Sequence, residues 1–90
     1  MRRHAHAERL MTEQQHLAAA DRHILEGYAR LLRQREAVAS MRTCGGRVEQ
    51  MERLTELTLQ TLTEWKRHRD LIVQWIGYLQ AQAARERLRP

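Results

Sequence analysis

Ninety residues form one small domain at most, and the formal charge of +5 leaves nucleic acid and acidic proteins open as partners. The single cysteine excludes an intramolecular disulfide, no apolar run approaches the roughly 20 residues that span a bilayer, and no secretory signal follows the first residues, so we expect a cytoplasmic location. Helix-forming residues dominate and the one proline is the last residue, which predicts an all-α chain.

The first predicted helix covers about residues 12–41, after a flexible N-terminal extension at residues 1–11. Thr12 followed by Gln15 fits a capping box, which would start the ordered helix there. Apolar residues recur at every seventh position in two adjacent rows and form a broad stripe. The first row is Leu10, Leu17, Ile24, Leu31 and Val38, and the second is Met11, Ala18, Leu25, Leu32 and Ala39.

Residues 42–46 are the strong break in the helical pattern, because they end in the paired glycines Gly45 and Gly46. Glycine supplies the positive φ that ends a helix and turns the chain. A connection this short requires the two helices to run antiparallel. The sequence therefore predicts an antiparallel two-helix hairpin that resembles a coiled coil.

The second predicted helix covers about residues 47–85 and is followed by a frayed basic tail at residues 86–90. Its seam residues alternate at spacings of three and four, as in a heptad repeat. Gly27 in the first helix and Gly77 in the second each cost about 1 kcal/mol against alanine, so we expect close helix approach at both. The seam consists of Val48, Met51, Thr55, Thr58, Leu62, Trp65, Arg69, Ile72, Ile76 and Leu79.

The register of the hairpin follows from the position of the bend. Folding the chain at residues 44–45 pairs position i with about position 89 − i, and apolar residues then face each other over most of the length. The same register brings Arg35 near Glu52 and Glu56. The register rests on the position of the bend and on the apolar pattern, so these charge matches support it independently.

Asp21 is the most informative polar residue, since an aspartate on an apolar face is costly unless it is paired. The register places it opposite His68 and Arg69. We interpret the three residues as a structural polar pair that fixes the register. A buried switch or a ligand-binding carboxylate is the alternative interpretation.

The apolar stripe of the first helix is wider than one partner helix can cover, and an uncovered apolar strip marks an association site. We expect a second copy to cover it and to complete a four-helix bundle, because two-fold pairing is the commonest closed solution. A different protein could supply the missing helices instead. The predicted dimer or partner surface consists of Leu25, Tyr28, Leu32, Trp65 and Trp75.

The outer faces of both helices carry basic residues that could contact phosphates. Acids are interleaved with them at the spacing of ordinary helix pairs, as with Glu26 and Arg30. No recognition-helix turn or RNA-binding motif accompanies the charge, and coding bias is a further explanation of the many arginines. The candidate phosphate contacts are Arg22, Arg30, Arg33, Lys66 and Arg67.

Three segments carry a resemblance to a known group: HLAAADRHILEG at residues 16–27, RQR at 33–35 and HRDLI at 68–72. They resemble small uncharacterised helical-hairpin proteins of rhizobia and related proteobacteria, which typically read HLAxADRHIxEG, then RQ, a glycine-containing break and HRxLI. The resemblance covers roughly residues 12–73 and departs at the turn and at Tyr28, where an acid is usual. It implies a helical hairpin and no assigned activity.

The function we expect is a non-enzymatic protein-interaction or scaffolding module that acts as a homodimer. No residues form a catalytic signature, a cofactor loop or a metal-binding spacing, so we predict no enzymatic activity, no cofactor and no metal. One alternative is a small basic regulatory protein associated with nucleic acid. A second is a protein inhibitor of the kind that phages and mobile elements encode.

Overall fold

The computed structural model describes the backbone of residues 2–89 and the side chains of residues 5–89. Two helices, α1 (Arg2–Thr43) and α2 (Glu49–Leu88), pack against each other in opposite directions. Their Cα atoms extend over 73 × 15 × 14 Å, and the radius of gyration is 20.3 Å, whereas a compact chain of this length has about 12 Å. The predicted all-α antiparallel hairpin is confirmed, and it is a rod one layer of helices thick.

α1 extends beyond both of its predicted ends, whereas α2 extends only beyond its predicted C-terminal end. Within the described residues, the segment predicted as an N-terminal extension is helical from Arg2 onward. α2 begins at Glu49, slightly later than predicted, and continues through Leu88 in the predicted tail. The Thr12 hydroxyl donates to the Glu8 carbonyl at 3.0 Å inside the helix, so it is not the predicted cap. Packing explains the extension, because Leu10 lies against the core cluster. Met1 and Pro90 lie outside the described residues.

The turn between the helices is built on Gly45, which has a φ of 72°. The Gly46 amide donates to the Met41 carbonyl at 2.8 Å, and the Cys44 amide donates to the Ser40 carbonyl at 3.1 Å. The bond from Gly46 to Met41 is the six-to-one bond of a Schellman motif, in which a left-handed residue ends the helix. Of the two glycines, Gly45 therefore supplies the positive φ that the sequence predicts for the turn.

An ion pair joins the two helices beside the turn. Arg42 donates from Nη2 to Oε1 of Glu52 at 2.7 Å. Arg35 lines one shallow depression together with Glu52 and Glu56, as the register predicts, but makes no ion pair among the described side chains. Arg42 is the residue that pairs, because Glu52 lies in the first turn of α2, beside the end of α1. At the far end of the rod, His6 Nδ1 lies 3.0 Å from Glu86 Oε1.

The core is a thin line of side chains between the helices. Its buried members are mostly aliphatic. Gly27 has no side chain, so Leu62 approaches α1 closely there. A Cβ added at Gly27 would lie 2.6 Å from a Leu62 methyl carbon. At Gly77 an added Cβ meets nothing within 4 Å, so the expected close approach is wrong there. The buried residues are Ala20, Leu31, Thr58, Leu62, Ile72, Ile76 and Leu79.

Candidate interaction surfaces

Asp21 and Arg69 are in contact across the two helices. Arg69 donates from Nε to Oδ1 of Asp21 at 2.5 Å. The Asp21 side chain is 46% exposed and the Arg69 side chain is 40% exposed, so the pair lies at the edge of the helix interface and not inside it. Water therefore reaches both charges in the single hairpin, and the pair orients the helices more than it stabilises them.

His68 does not join this pair. Its ring lies edge-on to the Trp65 ring, with centroids 5.6 Å apart and an interplanar angle of 70°. The His23 ring stacks on the same indole at 4.3 Å and 18°. His68 comes one residue before Arg69, which occupies a seam position. One residue turns a helix by about 100°, so His68 lies on the opposite flank of the seam from Asp21. His23 is not among the predicted site residues, although the register places it within one residue of Trp65.

One exposed apolar strip, the α1 stripe, consists of Met11, Leu25, Tyr28 and Leu32. Leu25 is 71% exposed and Leu32 is 60% exposed, although Leu31 next to it is only 5% exposed. On α2, Lys66 places its Nζ 4.8 Å from the centre of the Tyr28 ring, which is a cation–π contact. The α1 stripe is therefore a second apolar face of α1, beside the face that packs on α2.

A second exposed strip, the α2 stripe, consists of Leu54, Leu57, Leu71, Trp75 and Tyr78. The Trp75 and Tyr78 rings stack with centroids 5.1 Å apart and an interplanar angle of 15°. Leu54 and Leu57 line a groove together with His23 and Trp65. The α2 stripe thus lies on the His23 side of the rod, whereas the α1 stripe lies on the Lys66 side.

The five residues predicted to form one dimer or partner surface are divided by the fold. Leu25, Tyr28 and Leu32 lie together in the α1 stripe, but Trp75 belongs to the α2 stripe on the opposite face. Trp65 is partly buried and packs against the core cluster of the hairpin. The predicted surface is divided because the two stripes flank the seam on opposite sides. The spacing of apolar residues along α1 does not show on which side of the seam the stripe of α2 lies.

The predicted phosphate contacts do not form one patch. Lys66 lies over Tyr28 on one face, and Arg30 lines the groove on the other. Arg22 lies 4.0 Å from Glu26, as an ordinary pair four residues apart. Arg33 and Arg67 are exposed and make no ion pair among the described side chains. A phosphate backbone could not contact all five residues on one side of the rod.

Among the side chains at residues 5–89, no three histidine, cysteine, aspartate or glutamate residues are grouped so that they could hold a metal ion. Neither described helix has an apolar stretch long enough to cross a bilayer. No family model, curated protein or solved structure matches the chain. The resemblance to the rhizobial hairpin proteins stays a prediction, and the candidate sites are defined by geometry alone.

Proposed function

We propose that this chain is a non-enzymatic interaction or scaffolding module that acts as a homodimer, in which two hairpins pair through their α1 stripes into a four-helix bundle. The observation that carries the proposal is the α1 stripe, whose leucines are more than half exposed in the single hairpin. A helix with two apolar faces about 100° apart suits a bundle in which each helix has two neighbours.

The exposed area of the hairpin supports a second copy. The chain exposes 7513 Å², whereas a compact protein of its mass exposes about 5500 Å². The excess of about 2000 Å² is more than the roughly 800 Å² that each partner buries in a standard interface. Pairing along the rod is the arrangement that removes this excess while it covers the leucines.

The charges beside the α1 stripe favour self-association. Asp21, Arg69, Lys66 and Asp70 lie on or near this face by helical position, so both signs are present. A two-fold interface sets the same surface against itself, and a surface with both signs can satisfy its own charges there. A surface of one sign would repel its copy.

A cytoplasmic location is part of the proposal. Cys44 is free and exposed at the turn, and reducing compartments keep cysteines in that form.

The test is the mass of the protein in solution, measured by light scattering across a concentration series. The key variant combines Leu25→Glu with Leu32→Glu. Leu88→Glu is the matched control, because Leu88 is 84% exposed and lies outside both stripes. We expect the wild type and the control to have twice the 10.7 kDa mass of one chain, and the double variant to have the mass of one chain with unchanged helical circular dichroism. A wild type of single-chain mass, or a double variant that stays dimeric, refutes the proposal.

A further inference from the structure

A groove lies in the half of the rod nearer the turn, on the face that carries the α2 stripe. Its volume is about 280 Å³, and its apolar wall is formed by Leu54, Leu57 and Trp65. The opposite wall is formed by residues of α1, including Arg30 and Gln34. Gly27 and Leu62 also line the groove, and the absence of a side chain at Gly27 lets Leu62 pack closely against α1 there.

This face stays open when two hairpins pair through their α1 stripes. The α1 stripe lies on the Lys66 side of the rod and the α2 stripe on the His23 side, so the two stripes point to opposite sides. A two-fold pairing buries the same surface on both copies and cannot cover both sides of each rod. The α2 stripe runs about 36 Å from Leu54 to Tyr78 at 1.5 Å per residue. The polar residues Thr61, Glu64 and His68 lie between Leu57 and Leu71 on the same side of α2, so the stripe has two apolar segments separated by a polar one.

The groove presents both apolar and polar groups to an occupant. The amide oxygen of Gln34 is buried in its wall, and no donor among the described residues bonds to it. Arg30 is exposed and makes no ion pair with any described side chain. The one acid in the wall, Glu26, already lies 4.0 Å from Arg22 Nε and 3.9 Å from His23 Nδ1. The groove therefore offers an apolar pocket, a free acceptor and a free cation.

We propose that this face binds an amphipathic helix of another protein, with apolar side chains on the α2 stripe and an acidic side chain at Arg30. Helices recognised in grooves present apolar anchors three and four residues apart along one face, and here these anchors would pack against Leu54, Leu57 and Trp75. Charge complementarity selects the acidic flank. A nucleic acid would use Arg30 and the aromatic pair, but phosphates and sugars would leave the leucines of the α2 stripe wet. The binding is independent of dimer formation, because it uses the other face.

The experiment uses a fluorescein-labelled synthetic helix of about 20 residues with leucines along one face and glutamates beside them. The matched probe replaces every glutamate with lysine, and a single-stranded oligonucleotide of about 20 nucleotides is the third probe. Binding to the full chain is followed by fluorescence anisotropy. We expect the acidic helix to bind at least about tenfold more tightly than the basic one at low salt, and more tightly than the oligonucleotide.

Two variants locate the binding. Leu57→Glu should weaken the acidic helix by about tenfold or more, and Arg30→Glu should reverse the preference in favour of the lysine helix. Because both side chains are exposed, circular dichroism should report unchanged folding. The Leu25→Glu, Leu32→Glu double variant should bind the acidic helix as tightly as the wild type does, whether it is a monomer or a dimer. Failure of this proposal and failure of the proposed homodimer are therefore separate results. Equal affinity for both helices, absence of binding, or tighter binding of the oligonucleotide overturns the proposal. A lower mass for unliganded Leu57→Glu assigns the face to a further copy of the chain and overturns it as well.

Discussion

Asp21 and Arg69 are 48 positions apart in the chain and in direct contact in the hairpin. Each side chain keeps between two fifths and half of its surface exposed. The contribution of an ion pair at the edge of an interface to the free energy of unfolding depends on whether a second layer of protein covers the pair. The proposed dimer supplies that layer, because Asp21 lies beside the α1 stripe.

Replacing Asp21 with alanine should therefore have two different effects. In the monomeric Leu25→Glu, Leu32→Glu background, the coupling of Asp21 to Arg69 in a double-mutant cycle should be about 0.2–1 kcal/mol. In the dimer, Asp21→Ala should cost about 3 kcal/mol or more, because the Arg69 charge is left covered and unpaired. Urea unfolding at fixed protein concentration measures both quantities. The control cycle uses Arg22 and Glu26, an exposed pair expected to contribute under about 0.5 kcal/mol. A small cost of Asp21→Ala in a proven dimer would show that the pair remains in solvent there.

The neighbouring leucines Leu31 and Leu32 should respond differently to the same substitution. Leu31→Asp places a carboxylate in the hairpin core, where Leu31 is only 5% exposed, so we expect an unfolded or aggregated chain. Leu32→Asp alters a side chain that is exposed in the hairpin, so helicity should persist while self-association weakens. Circular dichroism and light scattering on the two variants check this. A well-folded Leu31→Asp protein would contradict the assignment of the core.

Two glycines inside the helices provide a second matched pair. Gly77→Ala gains helix propensity and meets open space, so it should stabilise the protein by about 0.5–1 kcal/mol. Gly27→Ala gains the same propensity but must displace the buried side chain of Leu62, at a typical overpacking cost of about 1–3 kcal/mol. We expect Gly27→Ala to be the less stable variant in urea unfolding. The opposite order would mean that the helices do not approach closely at Gly27.

The turn makes a sharper demand on Gly45 than on Gly46. Gly45→Ala forces a Cβ into a left-handed conformation, which costs about 1–2 kcal/mol. At Gly46 an added Cβ lies 3.6 Å from its nearest neighbours, at ordinary contact distance, so Gly46→Ala should change the unfolding free energy by less than Gly45→Ala does. Thermal and urea unfolding of the two variants compare them. Equal losses would indicate that the motif around Gly45 does not end α1.

The hairpin and its register could be predicted because both depend on local chemistry. Paired glycines fix the bend, and a heptad seam fixes the side that each helix presents to the other. The contact between Gly27 and Leu62 obeys the register of 89 − i, and Asp21 meets Arg69 within one residue of it.

The helix ends and the division of the exposed surface were harder to predict. Thr12 is a residue type that often caps helices, but Leu10 packs against the core, so α1 extends N-terminal to Thr12. Trp75 and Leu25 are both large apolar residues and both exposed, yet they lie on opposite faces of the rod. The face on which a residue lies depends on how its helix is rotated about its own axis relative to the seam. The apolar positions along each helix do not give that rotation. The groove at Gly27 depends on the same three-dimensional packing.

Small-angle X-ray scattering of the wild-type protein tests the central claim most directly, because one curve reports both the mass and the largest dimension of the particle. Two hairpins packed side by side should have twice the 10.7 kDa chain mass and a length close to the 73 Å of one rod. A length of about 130 Å, as for one unbroken helix of all the residues at 1.5 Å each, would contradict the hairpin. A single-chain mass at every concentration would contradict the pairing.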